Sequence, residues 1–147
     1  MEKLKIKLVR NGAQAPVRAT SGSAGYDIRA CIEKPVTLKA GARTLIPSGF
    51  AIALEDSGYV AVVCARSGLA VKHGISLSNG VGIIDSDYRG EICVGLVNLS
   101  DEDYAIEPGE RIAQLLLMPV FTPEICVCDE LDESARGAGG FGSTGKK

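Results

Sequence analysis

Asp85 follows the apolar run Gly82-Ile83-Ile84, and Asp87 and Tyr88 come within three residues of it. An apolar neighbourhood can hold a carboxylate in one orientation, and a carboxylate so held can accept a proton from water. The same three residues also suit an ordinary turn. A second stretch, Arg66-Ser67-Gly68, ends the apolar run YVAVVCA. It offers a guanidinium, a hydroxyl and an unhindered backbone N–H at one point, a combination that suits phosphate oxygens. Taken alone it equally describes a surface turn. In SAGYDIRA, Ser23 to Ala30, Asp27 sits in a Gly-punctuated strand. A buried, unpaired carboxylate there would be costly, so Asp27 faces solvent or is oriented toward a cation or its waters. The single histidine, His73, has no Ser or Cys partner at a spacing that suggests a triad.

The chain closes on RGAGGFGSTGKK, in which Gly140 to Lys146 spell G-x-x-x-x-G-K. A Walker A loop needs a preceding strand, a following helix and a Ser or Thr after the Lys. Here Lys147 follows and the sequence stops, so no helix dipole can meet a phosphate and the P-loop reading fails. The parts still suit phosphate: glycine N–H groups, Ser143, Thr144 and Arg136 can wrap an anion without a helix. Phe141 is a large aromatic in a stretch with no core of its own, which suits docking on another surface.

These residues need a scaffold, and the dominant hydrophobic period is two. In LKIKLV, Leu4, Ile6 and Leu8 share one face and Lys5 and Lys7 the other. PVTLKA, FAIAL, YVAVVCAR, EICVGLVNL and RIAQLLLMPV are similar short runs, with PSG, EDSG, SNG, SDYRG and EPGE as turns between them. The pattern predicts an all-β sandwich or barrel, with helix confined to a turn near Arg66 to Lys72. Asn79 to Ile92 has apolar runs around a polar centre and predicts a hairpin. Composition shifts after about Val127, where an acidic and then Gly-rich segment cannot bury enough apolar area to fold alone. The expected organisation is a sandwich domain over 1–128 and an arm over 129–147.

With 46% apolar and 23% charged residues, the chain fits one globular domain. Its net charge of −2 and lack of a basic block argue against a duplex-binding surface, while a small anion remains compatible. MEKLKIKLVR lacks the apolar run of a signal peptide, and no stretch approaches the roughly 20 apolar residues of a membrane span. A cytoplasmic protein without membrane or nucleic-acid partners is expected. Cys31, Cys64, Cys93, Cys126 and Cys128 are odd in number, and Cys126-x-Cys128 is too close for the usual zinc spacing. Reduced, structural thiols are expected.

Taken together and in order, AGYDIRA, RSGLA, NGVGIIDSDYRG, PGERIAQLLL and RGAGGFGSTG resemble the trimeric deoxyuridine triphosphatase (dUTPase) family over roughly Gly22 to Gly145. The resemblance implies a jelly-roll-like β-sandwich (a β-clip) and a homotrimer with active sites shared between subunits. It also implies Mg²⁺-assisted hydrolysis of dUTP to dUMP and pyrophosphate. In that family the C-terminal arm closes over a site. By position, Asp85 matches the carboxylate that activates the attacking water and contacts the 3′-OH. Tyr88 matches the ring beneath the sugar that leaves no room for a 2′-OH. Asn79 and the backbone through Gly82 match the uracil-reading edge. Arg66, Ser67, Gly68 and Gln114 match phosphate contacts, and Asp27 matches a residue that meets the metal through water. Arg136, Gly142, Ser143 and Thr144 match arm contacts to the outer phosphates, and Phe141 the aromatic that covers the base. The sequence departs at Ala65, where many members carry Pro before the Arg; a proline there would stiffen the approach to Arg66. Two rival readings are a dCTP deaminase-type enzyme and a non-catalytic nucleotide-binding module on the same fold.

Overall fold

The computed structural model describes residues 3–140. Phe141, Gly142, Ser143 and Thr144 of the predicted arm lie outside the described residues. Among the described residues the period of two becomes eleven strands, and the expected turn of helix becomes α1, Ser67–His73. All strand pairs are antiparallel. β2 (Tyr26–Arg29), β11 (Arg111–Pro119), β6 (Tyr59–Cys64) and β8 (Gly82–Ile84) form a four-stranded sheet in that order. β4 (Arg43–Pro47), β9 (Cys93–Asn98) and β7 (Ile75–Leu77) form a three-stranded one. Two-stranded ribbons pair β1 (Lys5–Leu8) with β5 (Phe50–Ala53), and β3 (Val36–Leu38) with β10 (Tyr104–Ile106).

Alternation decides which side chains enter the core. In β9, Val94, Leu96 and Asn98 are buried and the residues between them are not. In β6 the buried pair is Ala61 and Val63. β5 is short and buried at Phe50, Ala51 and Ile52, as expected of a strand covered on both faces. Phe50, Ile28, Ile46, Ile75, Leu96, Ile112 and Leu115 make one continuous core. Asn98 is fully buried within it. Its amide donates to the carbonyls of Leu38 (3.0 Å) and Glu102 (2.7 Å), and its oxygen accepts from the Ser100 N–H (3.0 Å) and hydroxyl (2.8 Å). Full pairing is what makes a buried amide tolerable.

Two sequence expectations change. The apolar runs around Asp85 do not pair with each other: β8 pairs with β6, and β9 pairs with β4 and β7. The chain therefore crosses from one sheet to the other through the loop 85–92, because its two apolar runs join different sheets. The cysteines are free, but Cys93, Cys126 and Cys128 are exposed and Cys31 and Cys64 half-buried, so none is a core thiol. The last strand ends at Pro119. From Phe121 to Ala138 the residues are exposed and form no strand.

Candidate active site

Strand register assembles the first site. β11 lies between β2 and β6, and Gln114 is opposite Asp27 on one side and Cys64 on the other. Residues distant in sequence thereby meet at one sheet end. The Asp27 carboxylate receives Arg66 Nε on Oδ1 and Arg111 Nη1 on Oδ2, each at 3.1 Å. Arg66 also donates to the Arg111 carbonyl at 3.0 Å. Two guanidiniums against one carboxylate leave a net positive cluster, which favours an anion beside it. Ser67 and Gly68 open α1, where backbone N–H groups have no intrahelical acceptor. Gln114 donates to the Ala65 carbonyl at 3.0 Å, which restrains the backbone where a proline was absent. Its Oε1 lies 2.6 Å from where a Cβ on Gly25 would stand, so a larger residue there would displace the Gln114 amide. Gly25, Asp27, Arg66, Ser67, Gly68 and Gln114 line one cavity of about 290 Å³.

Asn79 and Gly82 line a second, smaller cavity of about 120 Å³, with Cys93 and Gly95 of β9 opposite. A Cβ on Gly95 would lie 2.6 Å from Ser78 Oγ. Asp85 and Tyr88 line neither cavity. They sit on an exposed turn closed by Tyr88 N–H to the Asp85 carbonyl at 3.1 Å. Arg136 is exposed on the tail and donates to the Gly139 carbonyl at 2.8 Å. A third cavity, about 920 Å³ and bordered by Arg10, Cys31, Lys34 and Pro108, contains none of the predicted residues.

One spacing matters most. β8 runs antiparallel to β6, with Gly82 opposite Val63 and Ile84 opposite Ala61. Continuing that register puts Asp85 level with Val60, whereas Arg66 lies beyond the other end of β6. Six strand residues at about 3.3 Å each span roughly 20 Å. Asp85 and Arg66 of one chain therefore stand at opposite ends of a strand.

Sequence reasoning missed Arg111, Gly25, Cys93 and the partners of the 85–91 loop. Arg111 sits inside PGERIAQLLL, but its contact with Asp27 emerges only once β11 is placed beside β2. Gly25 lies two residues before Asp27 in AGYDIRA and was legible as a close-approach glycine. Among the described residues, the loop is fixed by groups from elsewhere. Glu91 accepts from Arg10 Nε at 2.6 Å and from the Gly49 N–H at 2.9 Å on the same oxygen. The hydrogen bond from Arg10 holds the Glu91 carboxyl below the usual glutamate range; burial opposes it and the Gly49 N–H assists. A depressed folded-state value adds stability that is present above the unfolded value and lost as pH falls through the folded one. In thermal melts, the Tm advantage of wild type over Arg10→Ala should therefore shrink as pH falls below about 4. A constant difference down to the acid limit would contradict the linkage.

Similarity to known proteins agrees with this geometry. The dUTPase family model matches residues 11–145. The deoxyuridine 5′-triphosphate nucleotidohydrolase of Paraburkholderia xenovorans (strain LB400) is 50% identical over 143 residues, covering 97% of each chain. That of Hahella chejuensis (strain KCTC 2396) is 52% identical over 145 residues, covering 99% of this chain and 95% of the relative. The solved structure of the Staphylococcus bacteriophage 80alpha dUTPase with dUpNHpp superposes with a TM-score of 0.89 at 30% identity, covering 99% of both chains. A mutant dUTPase from phage phi11 of S. aureus, whose structure concerns coordination of a structural Mg(II) ion, shares the fold at 24% identity, with a TM-score of 0.81 over 90% of this chain and all of that one. The strand order, the ordered motifs and the match along nearly the whole length converge: the chain belongs to the dUTPase family.

Proposed function

We propose that the chain hydrolyses dUTP to dUMP and pyrophosphate, which limits uracil entry into DNA and supplies dUMP for thymidylate synthesis. The observation that carries this reading is the first cavity. Residues from three motifs, Asp27, Arg66 with Ser67 and Gly68, and Gln114, meet around one net positive pocket. Arg66, Ser67, Gly68 and Gln114 hold the phosphates, and the guanidinium offsets charge that builds on the oxygens during attack. Asp85 accepts the proton of the water that attacks the α-phosphorus. Tyr88 packs beneath the deoxyribose. Asn79 and the backbone through Gly82 read the base edge, where mismatched donors would be left unpaired and costly.

Among the described residues no group of three His, Cys, Asp or Glu could cage a metal. That fits an ion held mainly by substrate phosphates, the usual habit of Mg²⁺. Asp27 suits a contact to its waters, since each of its oxygens keeps a second lone pair beyond its arginine. Bound there, Mg²⁺ neutralises phosphate charge.

In this reading the site is completed by more than one copy. Asp85 and Arg66 of one chain stand at opposite ends of β6, too widely spaced to meet on one triphosphate group, which supports a homotrimer with shared sites. Phe121, Ile125, Val127 and Leu131 are 87–93% exposed in the extended segment after β11, which supports contact with a neighbouring subunit. Beyond it, residues 129–147 act as the arm: Arg136, Gly142, Ser143 and Thr144 on the outer phosphates, Phe141 on the uracil. Phe141→Ala should keep the wild-type Tm and lose about 5- to 100-fold in kcat/KM, the scale of one base–aromatic stack. Unchanged kinetics would remove the lid from the mechanism. Among the described residues no helix is long and apolar enough to cross a membrane, and a cytoplasmic setting fits a soluble nucleotide substrate.

The test is incubation with a panel of nucleoside triphosphates, resolving monophosphate, pyrophosphate and ammonia. Pyrophosphate and dUMP from dUTP support the reading. Ammonia from dCTP would favour a deaminase, and no product with retained dUTP binding a non-catalytic module.

A further inference from the structure

Tyr88 is folded back on its own loop. Its hydroxyl donates to the Glu91 carbonyl at 3.1 Å, although the residue is 45% exposed. The fold-back needs Gly90: a Cβ there would lie 2.3 Å from the tyrosine oxygen and 2.6 Å from Cζ. An exposed ring tethered by one hydrogen bond is only as well placed as the acceptor, so what fixes Glu91 matters. Its side chain is 17% exposed and its carboxylate holds both Arg10 and the Gly49 N–H. The next residue is laced to the same β4–β5 turn: Ser48 N–H donates to the Ile92 carbonyl at 3.1 Å and Ile92 N–H to the Phe50 carbonyl at 2.9 Å. At the other end of the loop, Arg89 donates to the carbonyls of Ser86 (2.7 Å) and Tyr88 (2.9 Å).

We propose that Arg10 and Glu91 are positioning residues for Tyr88, and so set how strongly this site prefers a deoxyribonucleotide over a ribonucleotide. The inference rests on the reading of the site as a dUTP hydrolase with Tyr88 beneath the sugar. Neither residue needs to touch the nucleotide. Arg10 comes from the loop after β1 and has a half-exposed side chain, so it can be changed without opening the core. Rejection of a 2′-OH by a ring is steric, and steric rejection fails when the ring can move aside. Loosening the Glu91 carbonyl therefore raises activity on UTP more than it lowers activity on dUTP.

The experiment measures kcat/KM for dUTP and UTP in wild type, Arg10→Ala, Glu91→Gln, Tyr88→Phe and the Arg10→Ala/Tyr88→Phe double variant. Arg10→Ala and Glu91→Gln should each cut the dUTP/UTP ratio about 3- to 10-fold, the scale of one lost hydrogen bond. Tyr88→Phe should do the same, and Arg10→Ala should add nothing in its background, because both act through one contact. Arg10→Lys should restore part of the ratio. A merely structural ion pair would lower Tm and leave the ratio alone, and that result would overturn the proposal. So would additive effects in the double variant. If Glu91→Gln does not fold, Arg10→Ala alone decides. A wild type that hydrolyses dUTP selectively while Arg10→Ala keeps its ratio sinks this inference only. A wild type without dUTP hydrolysis sinks the function on which it rests.

Discussion

Asp85→Asn should lower dUTP turnover by about 10²- to 10⁴-fold, the range that a positioned general base contributes. The amide keeps the shape of the carboxylate and can still meet a sugar hydroxyl, but it cannot take a proton from water. Affinity for a non-hydrolysable dUTP analogue should consequently stay within about threefold, since the loss falls on the transition state rather than on binding. Stability should also be spared. Asp85 is exposed on a turn, and among the described residues no hydrogen bond or ion pair engages its carboxylate; exposed substitutions of that kind usually shift stability by less than about 0.5 kcal/mol. Single-turnover kinetics, a binding titration and a melt separate the three quantities. Near-normal turnover would remove Asp85 from the chemistry, and a collapse of Tm would mean that the loop, not the base, had been lost.

The second large effect should come from mixing two inactive proteins. Arg66→Ala removes the guanidinium proposed to hold the phosphates and should cost about 10²- to 10³-fold, as other charge-stabilising groups do. Alone, each variant is nearly dead. If a site draws Arg66 from one chain and Asp85 from another, hetero-oligomers contain some sites with both groups intact. For random one-to-one assembly, each group is wild type half the time, so roughly a quarter of sites recover in a closed ring of copies. Co-expression with two affinity tags and sequential purification gives oligomers that hold both variants. Purification discards the homo-oligomers and every mixed trimer holds one such site in three, so activity near a third of wild type is expected. Activity no greater than the sum of the two variants would place Arg66 and Asp85 in one chain's site, against the spacing along β6.

Much of the fold was legible because a half-buried strand writes its two faces into alternate residues. β1, β6, β9 and β11 each fall within an apolar run, and α1 falls where only a turn of helix was predicted. Partner choice was not legible. Alternation says which face is buried but not which strand lies alongside, so the run before Asp85 looked like half of a hairpin and turned out to pair with β6. The extended, exposed segment after Pro119 was not foreseen as starting so early, because Phe121, Ile125 and Val127 look like strand residues and lack only a partner within the chain.

Candidate site residues were readable by type where chemistry constrains them locally. Asp85, Arg66-Ser67-Gly68 and Gln114 are named by short ordered motifs, and so is the arm from Arg136 through Phe141 to Thr144. Tertiary structure alone decided how they are grouped. The register of β11 between β2 and β6 put Asp27, Arg66 and Gln114 around one pocket, with Arg111 paired to Asp27. The length of β6 held Asp85 away from them, and Arg10 reached Glu91 across 81 positions. A sequence records residue types and local periods, which are set by backbone geometry within a few residues. Distances between remote residues depend on strand pairing and loop closure, which are settled only when the whole core packs.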